Sequence, residues 1–436
     1  MKHFLTAAAL AAAPIIATPA AAQLTNAEQV IASNVETHFE DDVALLEVMT
    51  NVNSGTHNHE GVRAVADLLI PELEALNFTT EFIDQSHVDR AGHLFARHKG
   101  NADTTRILMI GHLDTVFERD SPFQQFTREG DIATGPGVVD DKGGIIVILS
   151  ALRAMEAAGT LEAANIVVAL TGDEEDAGQP IEQSRADLIA AGEWADVALG
   201  FEGLSVMEGR DFGVVARRSS NSWQITTTGQ TGHSSAIFRD EAGYGAVYEI
   251  ARILDAFRQQ LPEENLTYNV GLLAGGTPAV LADDGLSANT AGKTNIIAST
   301  AVARGDLRTI SQDQTDRVAT AMRDIVGQNL PGTGAEITFE FRYPPMSPTD
   351  GNRALLARLN TINVDLRLEP MEEYPPSRRG AADISFVATL VNAALAGMGP
   401  NGAGSHAEGE SADLSSFTRQ AQRAAILISR LAVEPR

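Results

Sequence analysis

Five short segments of this chain combine imidazole and carboxylate side chains at spacings that suit a metal site. The first is Gly111-His112-Leu113-Asp114-Thr115-Val116, directly after the apolar run Arg106-Ile107-Leu108-Met109-Ile110. That run reads as a short buried strand, so His112 falls where the strand ends and Asp114 points the same way two residues later. A histidine beside a carboxylate suits a zinc ligand whose free ring nitrogen is held by an acceptor. His-x-Asp is a weak signal alone; the later segments give it weight.

The second segment is Gly135-Pro136-Gly137-Val138-Val139-Asp140-Asp141-Lys142-Gly143-Gly144, a glycine-rich loop opening a helix. A phosphate cradle of the P-loop kind needs Ser or Thr after the lysine, and here two glycines follow Lys142; the dinucleotide fingerprint is absent too. What remains is a pair of acids at a tight turn. Asp140 suits a bridging metal carboxylate, while Asp141 equally suits the positive end of a helix. The third segment, Thr171-Gly172-Asp173-Glu174-Glu175-Asp176, follows the apolar run 165–170. Consecutive acids repel unless solvent or cations compensate them. Solvated loop acids are the ordinary explanation, but at the end of a buried strand one glutamate can bind metal while its neighbour serves as general base. Phe201-Glu202-Gly203 places another carboxylate after the strand 197–200, and Gly404-Ser405-His406 supplies a second imidazole ahead of a helix over 414–431. His57 and His59, in Gly55-Thr56-His57-Asn58-His59-Glu60, have a metal-like spacing that a solvated loop or helix cap explains as well.

Composition narrows the chemistry. The 436 residues are 44% hydrophobic and 21% charged, as expected for a globular chain of two domains or one interrupted domain. Acids outnumber bases 58 to 32, a formal charge of -26, which argues against nucleic acid and anionic membrane surfaces as partners. There is no cysteine, so disulfides, thiolate nucleophiles and cysteine-ligated zinc are excluded. Any metal must rest on histidine and carboxylate. At the start, Lys2, an apolar run over 4–17 and Ala20-Ala21-Ala22 read as a signal peptide cleaved after Ala22, which predicts a periplasmic or secreted protein. The run is too short, and too interrupted by Pro14, for a membrane span.

The elements that position these residues follow from periodicity. A helical pattern covers 26–52 and another 61–76; apolar strands at 107–110, 166–170 and 197–200 then alternate with a helix at 143–158. That alternation predicts an α/β architecture with a largely parallel sheet, whose active site gathers at the carboxyl ends of the strands. The pattern changes near Ser219: an alternating strand at 222–228, a helix at 242–260, a strand or strand pair at 294–307, a helix at 317–326 and a strand at 336–341. Such an order resembles a small α+β insertion, and the earlier pattern resumes after Pro345.

In this order, from about Phe39 to the end, His-x-Asp, Gly-x-Gly-x-x-Asp-Asp-Lys-Gly-Gly, Asp-Glu-Glu, Phe-Glu and Gly-Ser-His resemble the M20 family of dinuclear zinc peptidases, in particular glutamate carboxypeptidases of the carboxypeptidase G type. The resemblance implies two Zn2+ per subunit, with Co2+ or Mn2+ as substitutes. Asp140 would bridge them, Glu175 and His406 completing one site and His112 and Glu202 the other. Glu174 would be the general base and Asp114 would orient His112; a cis peptide would join Asp140 to Asp141. It also implies a catalytic domain, 23–218 and 344–436, of mixed, largely parallel sheet flanked by helices, interrupted by a ferredoxin-like lid and dimerisation domain over 219–343.

Within that lid, Gly229-Gln230-Thr231-Gly232-His233-Ser234-Ser235 matches the motif that sends a histidine to the partner subunit's active site, where His233 would donate to the developing oxyanion. Lys293-Thr294-Asn295-Ile296-Ile297 and Asp306-Leu307-Arg308 match lid segments that place Asn295 and Arg308 on a substrate carboxylate, a salt bridge to Asp306 being the alternative for Arg308. One segment departs from the family pattern. Arg378-Arg379-Gly380-Ala381-Ala382-Asp383-Ile384 keeps Gly380, taken as a substrate contact, and Asp383, but exchanges hydroxyls for alanines behind two arginines. That fits either a carboxylate pocket served by arginine or a different side-chain selectivity. The expected activity is hydrolysis of the amide bond next to a C-terminal carboxylate, in a small peptide or N-acyl amino acid, by a homodimer. N-acyl-amino-acid deacylation or di/tripeptide aminopeptidase action are the enzymatic alternatives; an inactive binding protein and a calcium-binding acidic protein are the others.

Overall fold

Runs rich in Val, Ile and Leu build a six-stranded sheet in the order Thr79–Asp84, Gly92–His98, Asn165–Thr171, Arg106–His112, Val197–Gly200 and Ala393–Leu395. The last four strands are mutually parallel and the first two pair antiparallel, so the sheet is mixed and largely parallel. Asn165–Thr171 and Arg106–His112 are buried almost throughout, because helices and loops cover both faces. This is why they read as continuous apolar runs rather than as alternating ones. Helix Lys142–Ala157 is buried along nearly its whole length, and with helix Ser415–Leu431 it forms the core on one face of the sheet. These are the features of the computed structural model, which describes residues 23–436. The expected signal segment, 1–22, lies outside the described residues, and among those residues no helix is long and apolar enough to cross a membrane.

Two element boundaries differ instructively from the periodicity. The single helix expected over 26–52 is two, Asn26–Thr37 and Phe39–Thr50, divided at His38 with φ -99° and ψ 10°. The break lets Ile31 and Val35 on one helix and Val43 and Leu46 on the other enter the same core. The next helix, expected over 61–76, runs His59–Glu74 and is capped by the Asn58 side chain, which accepts the Gly61 N–H.

Residues 220–343 contribute a second, antiparallel sheet ordered Leu272–Gly276, Thr300–Arg308, Ser220–Gly229, Thr333–Tyr343. With helices Ala246–Gln260 and Gln312–Val326 this is the split β-α-β arrangement of ferredoxin-like folds. Helix Ala246–Gln260 starts later than expected because Gly243 and Gly245 take φ of +64° and +73°. The strand expected from Thr294 begins only at Thr300, leaving Asn295 in a loop. This sheet has a hydrophobic cluster of its own, centred on Trp223, whose ring meets Phe257 edge-on and whose Nε1 donates to the Asp306 carbonyl at 3.0 Å.

Trp223→Ala removes the largest side chain of that cluster and is expected to cost about 3–5 kcal/mol. Hydrogen exchange should then show residues 220–343 opening while the amides of 106–112 and 165–171 stay protected.

Candidate metal centre and active site

Because Asn165–Thr171, Arg106–His112 and Val197–Gly200 run parallel, their carboxyl ends share one edge of the large sheet. His112 ends one strand, Asp173-Glu174-Glu175-Asp176 follows the second and Glu202 follows the third. Asp140 and His406 arrive by a different route. Strand Ile132–Thr134 pairs with Ser411–Asp413, which pairs with Asn401–Ala403. That small sheet sets the turn leading to Asp140 beside the loop of His406, a residue held at φ +65°.

The side chains converge on the Asp140 carboxylate. His112 Nε2 lies 3.2 Å from Asp140 Oδ1, and His406 Nε2 lies 3.3 Å from Asp140 Oδ2. Each oxygen thus addresses a different imidazole. His406 Nε2 is also 3.0 Å from Glu175 Oε2. His112, Asp140 and Glu175 each offer a ligand atom within 4.8 Å of one another. On its other ring nitrogen His112 faces Asp114, 3.3 Å from Oδ1 and 3.1 Å from the backbone carbonyl. Asp114 in turn accepts the N–H groups of Glu174 and Glu175, at 3.0 and 3.1 Å, and the Thr56 hydroxyl at 2.7 Å. One buried carboxylate therefore fixes a histidine ring and the backbone of both glutamates.

The Asp140–Asp141 peptide bond is cis. Asp141 stands at the start of helix Lys142–Ala157 but makes no side-chain cap. Its Oδ2 accepts the His112 N–H at 3.2 Å and its Oδ1 is buried without a partner. A Cβ on Gly111 would lie 2.6 Å from Oδ2 and one on Gly144 2.1 Å from Oδ1, so both glycines make room for this carboxylate.

The electrostatics describe a cluster that demands positive charge. Burial by itself would lower the His112 pKa, but hydrogen bonds to Asp114 and Asp140 outweigh it and hold the ring well above its ordinary value. Asp140 and Glu175 push His406 up to about 11. Burial raises the Glu174 carboxyl well above the usual carboxylate range, and the nearby Glu202 charge adds to this. Imidazole nitrogens and carboxylate oxygens without thiolate are a donor set for divalent zinc, cobalt or manganese, so the residues fit such a metal.

Other residues named from sequence are placed differently. Glu202 lines the same cavity as His112 and Glu174, with its Oε2 paired to Arg217 Nη1 at 2.7 Å. His233 and Asn295 sit together in loops of the second sheet: the Ser234 N–H donates to the Asn295 carbonyl, and the His233 ring bonds Ser235 at 2.9 Å. Arg308 makes the salt bridge to Asp306, 3.0 Å, and comes within 3.7 Å of where a side chain on Gly380 would begin. Gly380 offers its carbonyl to Arg217 at 2.8 Å. His57 pairs with Asp176 at 3.2 Å, at the rim of the acidic loop rather than in the cluster, while His59 starts a helix.

Sequence reasoning missed three supports. Glu410, fully buried, accepts the N–H groups of Gly137, Val139 and Asp140 at 3.1, 2.9 and 3.0 Å and so shapes the turn that presents Asp140. Arg185, also buried, bridges Asp173 and Asp383 at 2.6 and 2.7 Å. Tyr343 accepts from Arg185 and donates to the Glu174 carbonyl at 2.7 Å. Glu410 lies four residues past His406, which is the one hint the sequence offered.

Comparison with known proteins gives the family. The sequence model of "Peptidase family M20/M25/M40" matches residues 108–430. The chain belongs to that family. Carboxypeptidase G2 of Pseudomonas sp. (strain RS-16) is 25% identical over 407 residues, 89% of either chain. A succinyl-diaminopimelate desuccinylase of Acidiphilium cryptum (strain JF-5) is 27% identical over 306 residues, 68% of this chain and 75% of the relative. Among solved structures, the Bacillus subtilis YXEP protein, described as a dinuclear metal-binding peptidase of the M20 family, aligns with a TM-score of 0.65 at 15% identity, covering 91% of this chain and 99% of that one. As an M20 member the chain is a hydrolase of peptide or amide bonds.

Glu410→Ala leaves three backbone N–H groups of the Asp140 turn without their acceptor. Metal affinity, measured by competition with a chelator, is expected to fall about 10- to 100-fold with the global fold retained.

Proposed function

We propose that this M20 hydrolase is an exported dizinc carboxypeptidase that cleaves the amide bond next to a C-terminal carboxylate. The observation that carries the metal assignment is the Asp140 carboxylate, whose two oxygens face two different imidazoles. Asp140 would be shared by both ions, with His406 and Glu175 completing the hold on one and His112 and Glu202 on the other. When bound, the metal pair polarises the scissile carbonyl and makes a water acidic enough to attack near neutral pH.

The protein's own groups do the rest. Glu174 takes the proton of the attacking water and delivers it to the leaving nitrogen, and its burial supports a pKa suited to that exchange. Asp114 holds His112 in one orientation and pins the backbone of Glu174 and Glu175, so base and ligand keep a fixed separation. The second sheet acts as a lid and dimerisation surface; Val247 and Tyr248 on its helix and Leu273 on its edge strand stand more than 40% exposed, which supports a partner there. His233 of one subunit assists the oxyanion in the other, and Asn295 with Arg308 receives the substrate carboxylate near Gly380.

N-acyl-amino-acid deacylation is the second reading, favoured by the similarity to desuccinylases, which by name remove an acyl group from an amino acid derivative.

Glu174→Gln is expected to lower kcat by about 10²–10⁴-fold while metal content stays unchanged; full activity in this variant ends the base assignment. Peptides with amidated C-termini should resist cleavage that their free-acid counterparts undergo, and equal rates would exclude the carboxypeptidase reading. His233→Ala and Glu174→Gln chains, each inactive alone, should regain activity when unfolded and refolded together. A mixture that stays inactive removes the role of His233 across the dimer.

A further inference from the structure

The strands that carry the metal centre at their carboxyl ends start beside a cavity of a different character. Arg106 and Asn165, the first residues of two parallel strands, are register partners, and Arg97 on the next strand pairs with Val167. Together with Lys99 and Trp194 they line a cavity of about 550 Å³. His112 and Thr171 end the same two strands. At the rise of an extended chain, that puts the cavity about 20 Å from the metal centre.

The lining is basic in an acidic chain. Acids outnumber bases 58 to 32 overall, yet Arg97, Lys99 and Arg106 line this cavity and no aspartate or glutamate does. Among the described residues none of these three side chains forms an ion pair. Asp196 accepts the Arg106 backbone N–H at 2.9 Å, but its carboxylate pairs with Arg436 at 2.9 and 3.1 Å. Arg106 acts on Asp196 only through space.

The floor is apolar and held in place. Val167 is buried in its strand, and Trp194, ending helix Ala186–Trp194, has the Arg106 Cζ 5.6 Å from its ring centroid. The one side-chain hydrogen bond of Arg106 is a long one, from Nη1 to the Trp194 carbonyl at 3.4 Å, so most of its N–H groups are unused. Asn165 accepts the Gly100 N–H and donates to the Asn101 carbonyl and the Thr104 hydroxyl, which fixes the loop beside the cavity. An apolar floor with a few convergent charged groups suits a small molecule, and a guanidinium fork suits a carboxylate or phosphate.

We propose that this cavity is a second ligand site, remote from the metal centre, for a small aromatic anion. The ring of the ligand packs on Val167 and Trp194, and its carboxylate or phosphate meets Arg97, Lys99 and Arg106. The site is independent of the carboxypeptidase reading.

Calorimetry on the full chain tests it, with 1-naphthyl phosphate and 1-naphthoate as probes and uncharged 1-naphthol and inorganic phosphate as controls. Each titration is run on the metal-loaded protein and again after chelator treatment. At least one of the two aryl anions is expected to bind about 10-fold tighter than either control, and to keep that binding without metal. The paired substitution Arg97→Gln and Lys99→Gln changes two exposed residues outside the catalytic machinery. It should weaken binding about 10-fold and leave hydrolysis in the absence of the anion unchanged. Naphthol binding as tightly as the anions, full affinity in the double variant, or no saturable binding by wild type would each overturn the site. Binding that disappears with the metal also overturns it, because the anion then sits at the metal centre. Loss of the site by any of these outcomes leaves the assignment of the metal centre untouched.

Discussion

The site depends on one constraint: a single aspartate, Asp140, must present its two oxygens to imidazoles 294 residues apart in the chain, His112 and His406. Everything nearby serves that presentation. Glu410 gathers three backbone N–H groups of the turn before it, and the pairing of Ile132–Thr134 with Ser411–Asp413 delivers both Glu410 and His406 to the same place. Buried acids in such density are tolerable only where cations match them. These acids push both imidazoles toward their charged form, and a divalent ion would match the same negative charge.

Behind the cluster lies a second, drier network that keeps the acidic loop in position. Arg185 joins Asp173 to Asp383, Thr171 donates to Asp383 at 2.6 Å, and Tyr343 closes the circuit on the Glu174 carbonyl. Tyr343 ends the last strand of the second sheet, and Asp383 follows the arginine-rich loop. The segment 220–343 is thus tied by hydrogen bonds to the backbone of the residue proposed as base. Reorientation of that segment would be felt directly at Glu174.

Much of the catalytic half was legible because its signals are local. Apolar runs at 107–110 and 166–170 marked strands whose ends carry the chemistry, and they extend by only one or two residues in the structure. The helix boundary at His38 was illegible because the apolar periodicity hardly changes across it; the break serves packing, not sequence pattern. Asn295 fell in a loop rather than a strand, and Arg308 took the local partner Asp306 that its spacing on a strand allows. His57 and His59 shared a metal-like spacing, yet one faces Asp176 and the other opens a helix, since two residues at a loop–helix junction need not point together.

By itself the sequence determined which residue types were available: histidine and carboxylate but no thiolate, set at strand ends and tight turns in a recognisable order. That much follows from periodicity and side-chain chemistry, which are properties of short segments. Only the tertiary structure decided that Asp140 stands between His112 and His406, that Glu410 holds its turn, and that the Arg379 guanidinium reaches the Gly203 carbonyl with its Nε closed off from solvent. Those facts depend on contacts between residues far apart in the chain, where burial sets the energy of a charge and no local pattern records it.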